Sequence, residues 1–364
     1  MFARHLRPES QALVRALRQR GRQVWPLRRR GANLGYAVEV HRTFPSLPQA
    51  QRTWRAGAPV FLPGVLGEAP TRHAAAIGNS LRMFDRLRRG GRFVDALERR
   101  LQDDVDLEYA GSTIDKNDSR EIERVFVDAK PGGKLVAKDL WAMLAWIAND
   151  ESDLSMRIRF SAGLERIEEW MQATDLTAGW VDQFAGRAFP ECAAIMACDR
   201  LRTILDHLIG KPHRLSERIL YNNAPDGGAV FHHDAEPGQI GVCFNQLEGH
   251  TAWLTLPKRR LAHLLVRTGF CRDQRAAMAA LDDSDDKKLW TRLNRDAGFT
   301  AWLAAHGALF VLGAGDSILL PSHSIDDVAW HSVLALGEKP SLAHSYGLFP
   351  RQPDYPLAAD PHLQ

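Results

Sequence analysis

The sequence predicts an α+β protein: a large, mainly helical N-terminal region, then a jelly roll or small barrel of short strands carrying one helical insertion. Three observations predict it. Apolar residues recur at helical spacing over 72–88, 93–101, 138–148, 164–173 and 192–209. After Pro212 the pattern changes to short alternating runs separated by turn residues. Residues 258–306 return to helical spacing, broken by an acidic run at 282–286, before four more strand-like segments. About eight short strands in the C-terminal half suit a jelly roll.

Four segments follow in order: a basic arm over 1–57, a mainly helical region over 58–210, the strand-rich core over 211–349, and a tail over 350–364. Residues 1–30 hold nine arginines and one acid, Glu9, and end in the run Arg28, Arg29, Arg30. Such a run reads either as a site for an anionic partner such as RNA or lipid, or as a solvated helix or frayed terminus. The second is the default for a terminus; a mitochondrial presequence shares the composition. Residues 58–66 read as a short buried strand broken at Pro63 and Gly64, and 115–120 as a polar turn. In the core, strands are expected at 218–221, 229–231, 239–247 and 251–256, with a loop at 222–228 and a hairpin turn at 248–250. After the insertion they are expected at 308–312, 317–320, 331–336 and 341–349. There is no internal repeat.

Composition excludes several classes. Hydrophobic residues are 45% and charged residues 25%, which argues against a disordered or fibrous chain. No run of 18 apolar residues and no apolar leader occurs, so no membrane partner is expected. The four cysteines, at 192, 198, 243 and 271, form no CxxC pair, and a reducing cytoplasm is the expected compartment. The formal net charge of +3 does not demand a nucleic-acid partner, which stays open but not favoured. There is no Walker phosphate loop and no HExxH. The 312–316 stretch lacks the third glycine of GxGxxG, and Ser161 lacks the first glycine of a nucleophile elbow.

The residues that carry chemistry are His232, Asp234 and His331. On an extended chain, positions i and i+2 share a face, so His232 and Asp234 can meet one ion, and a later strand can bring His331. Two imidazoles and one carboxylate form the facial triad that holds Fe(II) and leaves the opposite face open. His323 is the alternative third ligand. His233 points to the other face. Asn223, Gln239 and Gln246 line the pocket or are half-exposed strand residues. Trp253 is read as core and His250 as solvated. Trp141, Leu144 and Trp146 are read as core or the face of a homodimer. Arg157 and Arg159 share a face if 155–160 is extended, and then either grip an acidic substrate or lie on an exposed strand.

The order of these elements resembles the JmjC, or cupin-like, Fe(II)- and 2-oxoglutarate-dependent oxygenases. The elements that carry the likeness are the triplet His232, His233, Asp234; the hairpin with Gln246, Gly249, Thr251 and Trp253; the run from Gly315 and Asp316 to Pro321; and the distal Trp330, His331, Val333. It covers 211–349 well and 58–66 weakly. The resemblance implies a double-stranded β-helix, Fe(II) on His232, Asp234 and His331, 2-oxoglutarate chelating the metal, and dioxygen in the last position. Hydroxylation is the default outcome, with desaturation, cyclisation and demethylation sharing its start. The sequence departs from the family in three places. Thr251 stands where a gripping Lys is common, no Arg lies in 341–346, and the loop from Pro321 to His331 is long. The residues expected around the co-substrate are therefore Thr251, Asn223, Gln246, Lys258 and His344, with Arg157 or Arg159 as further cations. The preferred activity is oxidation of a small molecule such as an amino acid or biosynthetic intermediate. A protein or RNA hydroxylase and a metal-binding cupin that does not use 2-oxoglutarate are the alternatives.

Overall fold

The computed structural model describes residues 3–39, 43–115, 122–148, 152–163, 175–210, 212–236, 238–283 and 286–350. The chain begins with β1 (Ala3–Leu6), α1 (Gln11–Gln19), β2 (Val24–Arg29), β3 (Ala32–Glu39) and α2 (Leu47–Arg55). Next come β4 (Val60–Leu62), α3 (Ala69–Arg72), α4 (Ala74–Arg88) and α5 (Phe93–Leu101). Strands β5 (Leu107–Asp115), β6 (Ile122–Ala129), β7 (Ala137–Trp146) and β8 (Met156–Ala162) precede α6 (Asp175–Ala188), α7 (Pro190–Met196) and α8 (Asp199–Ile209). The core opens with β9 (His213–Asn223), β10 (Gly241–Glu248) and β11 (His250–Pro257). The insertion is α9 (Lys258–Arg267), α10 (Gln274–Asp282), α11 (Lys287–Arg295) and α12 (Ala297–Ala305). It returns to β12 (Leu309–Leu312), β13 (Ser317–Ser324), β14 (Asp327–Leu336) and β15 (Ser341–Pro350).

The large sheet runs β12-β11-β14-β13-β10-β15-β9-β8-β7-β6-β5, with β4 added on β13. Its pairings are antiparallel. The path doubles back at the β13–β14 hairpin, so β11, β12 and β14 face β10, β13 and β15. Between the two layers lies one apolar cluster: Phe61, Val242, Phe244 and Ile318 from one side, Trp253, Phe310 and Val333 from the other. This is a jelly-roll core, in which alternate residues of both layers point inward. Helices α4 to α8 cover the outer face of the larger layer, burying Phe84, Phe93, Leu97, Phe184 and Phe189 against Val125, Leu140, Ile158 and Phe160. The insertion helices and the N-terminal sheet cover the other layer, burying Trp25, Leu27, Leu261, Leu265 and Leu303 against Leu254 and Leu256. The acidic break inside the insertion has a local use. Asp286 caps α11, accepting from the Lys288 and Leu289 amides. Asp273 and Asp296 do the same for α10 and α12.

Three expectations need correction. First, the described residues of the 1–30 stretch are not a solvated helix or frayed terminus. β1, β3 and β2 form a three-stranded sheet, with α1 packed on it through Leu6, Val14, Val24 and Val38. The arginine run is a strand end, so its side chains alternate: Arg28 is exposed and Arg29 is buried. Second, 58–210 is only partly helical. The 138–148 segment is β7, and β5 to β8 extend the large sheet. β7 is apolar on both faces, with Leu140, Ala142 and Leu144 toward the helices and Trp141, Met143 and Ala145 on the other side. That erases the two-residue alternation and leaves a run that reads as helical. Third, 229–231 is not a ladder strand; it is an extended segment joined to β14 by the bridge at His232 and His331. The 192–209 helix is interrupted at Ala197 and Cys198. The segments 164–173 and 116–120 fall outside the described residues.

The turn before His232 is tightly held. Asp153 Oδ2 accepts from the Gly228 amide (3.2 Å), and Ser155 Oγ accepts from the Ala224 amide (2.9 Å). Gly228 has φ +122°, and a Cβ there would collide with the Val333 carbonyl. Gly228→Ala is therefore expected to lower stability by about 2–4 kcal/mol in urea unfolding. It should also weaken metal binding, because the turn sets the height of His232.

Candidate metal centre

His232 and His331 are placed by a reciprocal backbone pair. The His232 amide donates to the His331 carbonyl (2.9 Å), and the His331 amide donates to the His232 carbonyl (2.8 Å). Their rings lie side by side, with centroids 4.2 Å apart. Asp234, two residues on, reaches both. Its Oδ1 is 3.3 Å from His232 Nε2 and its Oδ2 is 3.4 Å from His331 Nε2. The three residues offer ligand atoms within 4.8 Å of one another. Donors on one face of an octahedral ion, with bonds of about 2.1 Å, sit about 3 Å apart.

The surroundings prepare the ligand atoms. His232 Nδ1 donates to the Val230 carbonyl (2.7 Å), which leaves Nε2 as the nitrogen facing Asp234; without a metal, a proton on Nε2 bonds to that carboxylate. His331 is buried and stacks on Trp253, centroids 5.3 Å apart at 23°. Burial, with the neighbouring His232 adding to it, pushes the His331 imidazole down to about 3, so it is neutral. Burial alone would raise the Asp234 carboxyl. The His331 and His232 imidazoles, a hydrogen bond from His232 and the Arg157 guanidinium outweigh it and hold the group far below the usual carboxylate range. Burial lowers His232, but the Asp234 charge and hydrogen bond, with the Val230 carbonyl, raise it above 6.5 overall. At neutral pH, then, Asp234 is ionised, His331 is neutral, and one proton competes for His232. A metal must displace that proton. Below the raised His232 pKa, metal affinity measured by titration should fall about tenfold per pH unit. It should level off above that pKa.

A cavity of about 490 Å³ opens over the ligands, walled by Ile147, Arg157, Arg159, Ile219, Tyr221 and Trp290. Strand β8 is extended, so Arg157 and Arg159 share a face. The register sets Arg157 opposite Tyr221 and Arg159 opposite Ile219. Tyr221 and Ser345, which the sequence reading did not single out, also line it. The only sequence signal for them is alternation along β9 and β15. Burial and the nearby Asp234 push the Tyr221 hydroxyl up to about 12, so it stays protonated.

The other expected residues divide. Asn223 lines the inner end of the chamber beside Phe244 and Trp253; its Nδ2 donates to Ser341 Oγ at 3.4 Å. Gln239 lines the outer cavity. Thr251 and Gln246 bind each other instead: Thr251 Oγ1 donates to Gln246 Oε1 (2.7 Å), and Trp253 Nε1 donates to Thr251 Oγ1 (3.1 Å). Lys258 starts the insertion and pairs with Asp282 (2.6 Å) and Asp326 (3.5 Å), away from the cavity. His344 is on β15, but its neighbours Ala343 and Ser345 take the inward positions. It packs against Tyr346 on the helix side, centroids 4.3 Å apart. His323 does not join the centre; its ring meets Trp54, and Nε2 donates to the Trp54 carbonyl at 3.0 Å. His233 lies against Trp330.

No helix among the described residues is long and apolar enough to cross a membrane. No family model matches the chain, and no curated protein matches it. Among solved structures, the chain is similar to the non-heme alpha ketoglutarate dependent epimerase SnoN from nogalamycin biosynthesis. The identity is 14% and the TM-score 0.35, covering 84% of this chain and 82% of that one. It is similar to an oxidoreductase of the 2OG-Fe(II) oxygenase family from Burkholderia pseudomallei at 10% identity and TM-score 0.34, over 85% and 93% of the two chains. HygX from Streptomyces hygroscopicus, with nickel and 2-oxoglutarate bound, matches at 12% identity and TM-score 0.32, over 83% and 86%. Likeness at this level leaves the chemistry to be read from the side chains themselves.

Proposed function

We propose that this chain is a non-haem Fe(II)- and 2-oxoglutarate-dependent oxygenase acting on a small molecule. The observation that supports it is the convergence of His232, Asp234 and His331 on one point, with Asp234 ionised, His331 neutral and a cavity lined by His232 and Asp234. The donor set fits the metal: one carboxylate and two imidazoles, one of them oriented by a backbone carbonyl. Bound Fe(II), with 2-oxoglutarate and dioxygen, supplies the oxidation: the co-substrate loses carbon dioxide to become succinate, and one oxygen atom passes to the substrate.

This chain's own residues bind and orient. With Thr251 bonded inside the fold and Lys258 salt-bridged outside it, Arg157 is a cavity-lining cation whose charge bears on Asp234, His232 and Tyr221. Arg157 takes the far carboxylate of the co-substrate, with the Tyr221 hydroxyl as a second donor. Ile147, Ile219 and Trp290 give the substrate an apolar wall. A cavity of this size suits a small molecule. The macromolecular alternative drew on a free arginine arm, and that arm is folded into the protein.

The test is Fe(II)-dependent succinate formation from 2-oxoglutarate in air, with and without candidate small molecules. A metal-binding protein that forms no succinate would move the reading to a cupin that does not use 2-oxoglutarate. Arg157→Gln is expected to raise the half-saturating 2-oxoglutarate concentration about 10- to 100-fold, the worth of one charge-assisted hydrogen bond. Metal binding should survive it.

A further inference from the structure

On the helix side of the large sheet, away from the metal centre, α4, α5 and the α6–α7 junction enclose a second cleft of about 450 Å³. Six guanidinium groups line it: Arg82, Arg86, Arg92, Arg99, Arg100 and Arg187. Asp95 is the one carboxylate among the lining residues. Two of the six belong to the framework. Arg100 donates to the Ala188 carbonyl (2.7 Å) and to Ser80 Oγ (3.2 Å), and Arg187 pairs with Asp104 (2.6 Å) and Asp106 (3.0 Å). Among the described residues, Arg82 bonds to Asn79 one turn before it. Among the described residues, no carboxylate pairs with Arg86, Arg92 or Arg99. The amides that open α5 are already met by Glu123, which accepts from Phe93 and Val94. The positive potential therefore comes from the side chains.

Like charges gathered in one concavity repel, and a concave low-dielectric wall focuses their field. Arginine forks match phosphate oxygens two at a time. The floor is short and apolar, with Ala76, Leu87, Ala96 and Ala188. The lining has no aromatic ring on which a base could stack, as single-stranded nucleic acid would need. The guanidiniums also converge on one cleft instead of following a stripe. We propose that this cleft binds a compact small molecule carrying two or more phosphate groups, at a site separated from the metal centre by the large sheet.

Inorganic tripolyphosphate is the probe, titrated calorimetrically into the full chain without added metal at low and physiological salt. Saturable one-to-one binding is expected, weakening with salt. Arg86→Gln combined with Arg99→Gln should weaken it at least about tenfold. Both side chains are exposed, so this variant should melt like the native chain. Arg20→Gln with Arg22→Gln, exposed arginines between α1 and β2, should leave binding unchanged. The proposal is overturned by undiminished binding in the Arg86, Arg99 variant, or by loss of binding in Arg157→Gln, which would put the anion in the metal cavity. It is equally overturned if a single-stranded decanucleotide binds and tripolyphosphate does not.

Discussion

Asp234→Ala is expected to abolish metal-dependent turnover while leaving the chain folded. Among the described residues, Asp234 is the one carboxylate in the proposed triad, and both imidazoles are aimed at its oxygens. A catalytic metal is worth several kcal/mol of transition-state stabilisation. At 1.36 kcal/mol per tenfold, its loss should cost at least about 10³-fold in rate. The Asp234 side chain lies partly exposed against the two imidazoles, outside the apolar layers, so unfolding of the metal-free protein should change little. His331→Ala should match this loss of activity. His323→Ala should not, since His323 is occupied with Trp54. The pair of histidine variants decides the third ligand by activity and by metal content after gel filtration.

The largest effect on stability is expected at Arg29. It is 1% exposed and joins three parts of the chain. From β2 it donates to Asn294 Oδ1 on α11 (2.6 Å), to Ser332 Oγ on β14 (2.6 Å), and to the Ala229 and Val333 carbonyls (3.0 Å each). Asn294 Oδ1 also accepts from the Phe231 amide (2.8 Å), one residue before His232. Burial, and the nearby Arg30 charge, push the guanidinium down to about 9, with Asp153 opposing. Arg29→Ala removes all four of these bonds at once and leaves a cavity among buried polar groups, although Asn294 Oδ1 keeps the Phe231 amide and the Ala229 carbonyl keeps the Val333 amide. A loss of about 3–5 kcal/mol in urea unfolding is expected. Arg29→Lys should not restore it, because one ammonium nitrogen cannot stand where both Nη1, on Asn294, and Nη2, on Ser332 and two carbonyls, now stand. Replacing the exposed Arg28 should cost under about 0.5 kcal/mol.

The strands of the C-terminal half are buried on both faces, as β7 is, and were legible because they are apolar runs bounded by marked turns, as at Gly249. The grouping of His232 and Asp234 was legible from their spacing of two, which puts both on one face of an extended segment. What the sequence hid is long-range. β7 lost its alternation because both its faces are covered. The arginine arm looked solvated because its partners, Asn294 and Ser332, lie more than 250 residues away in the chain. His344 and Lys258 were expected near the co-substrate by type and position. Strand parity turns His344 to the helix side, and Asp282 and Asp326 hold Lys258 at the start of the insertion. Arg157 was legible as a candidate only, since its role depends on β8 pairing with β9.

The most direct test is anaerobic. Fe(II) and then 2-oxoglutarate are added to the full chain, and the visible spectrum is read for the metal-to-ligand charge-transfer band. A band that appears with the native chain, and is lost in His232→Ala and His331→Ala, is the predicted result. Iron bound without any band, or a band indifferent to either histidine, would contradict the proposed centre.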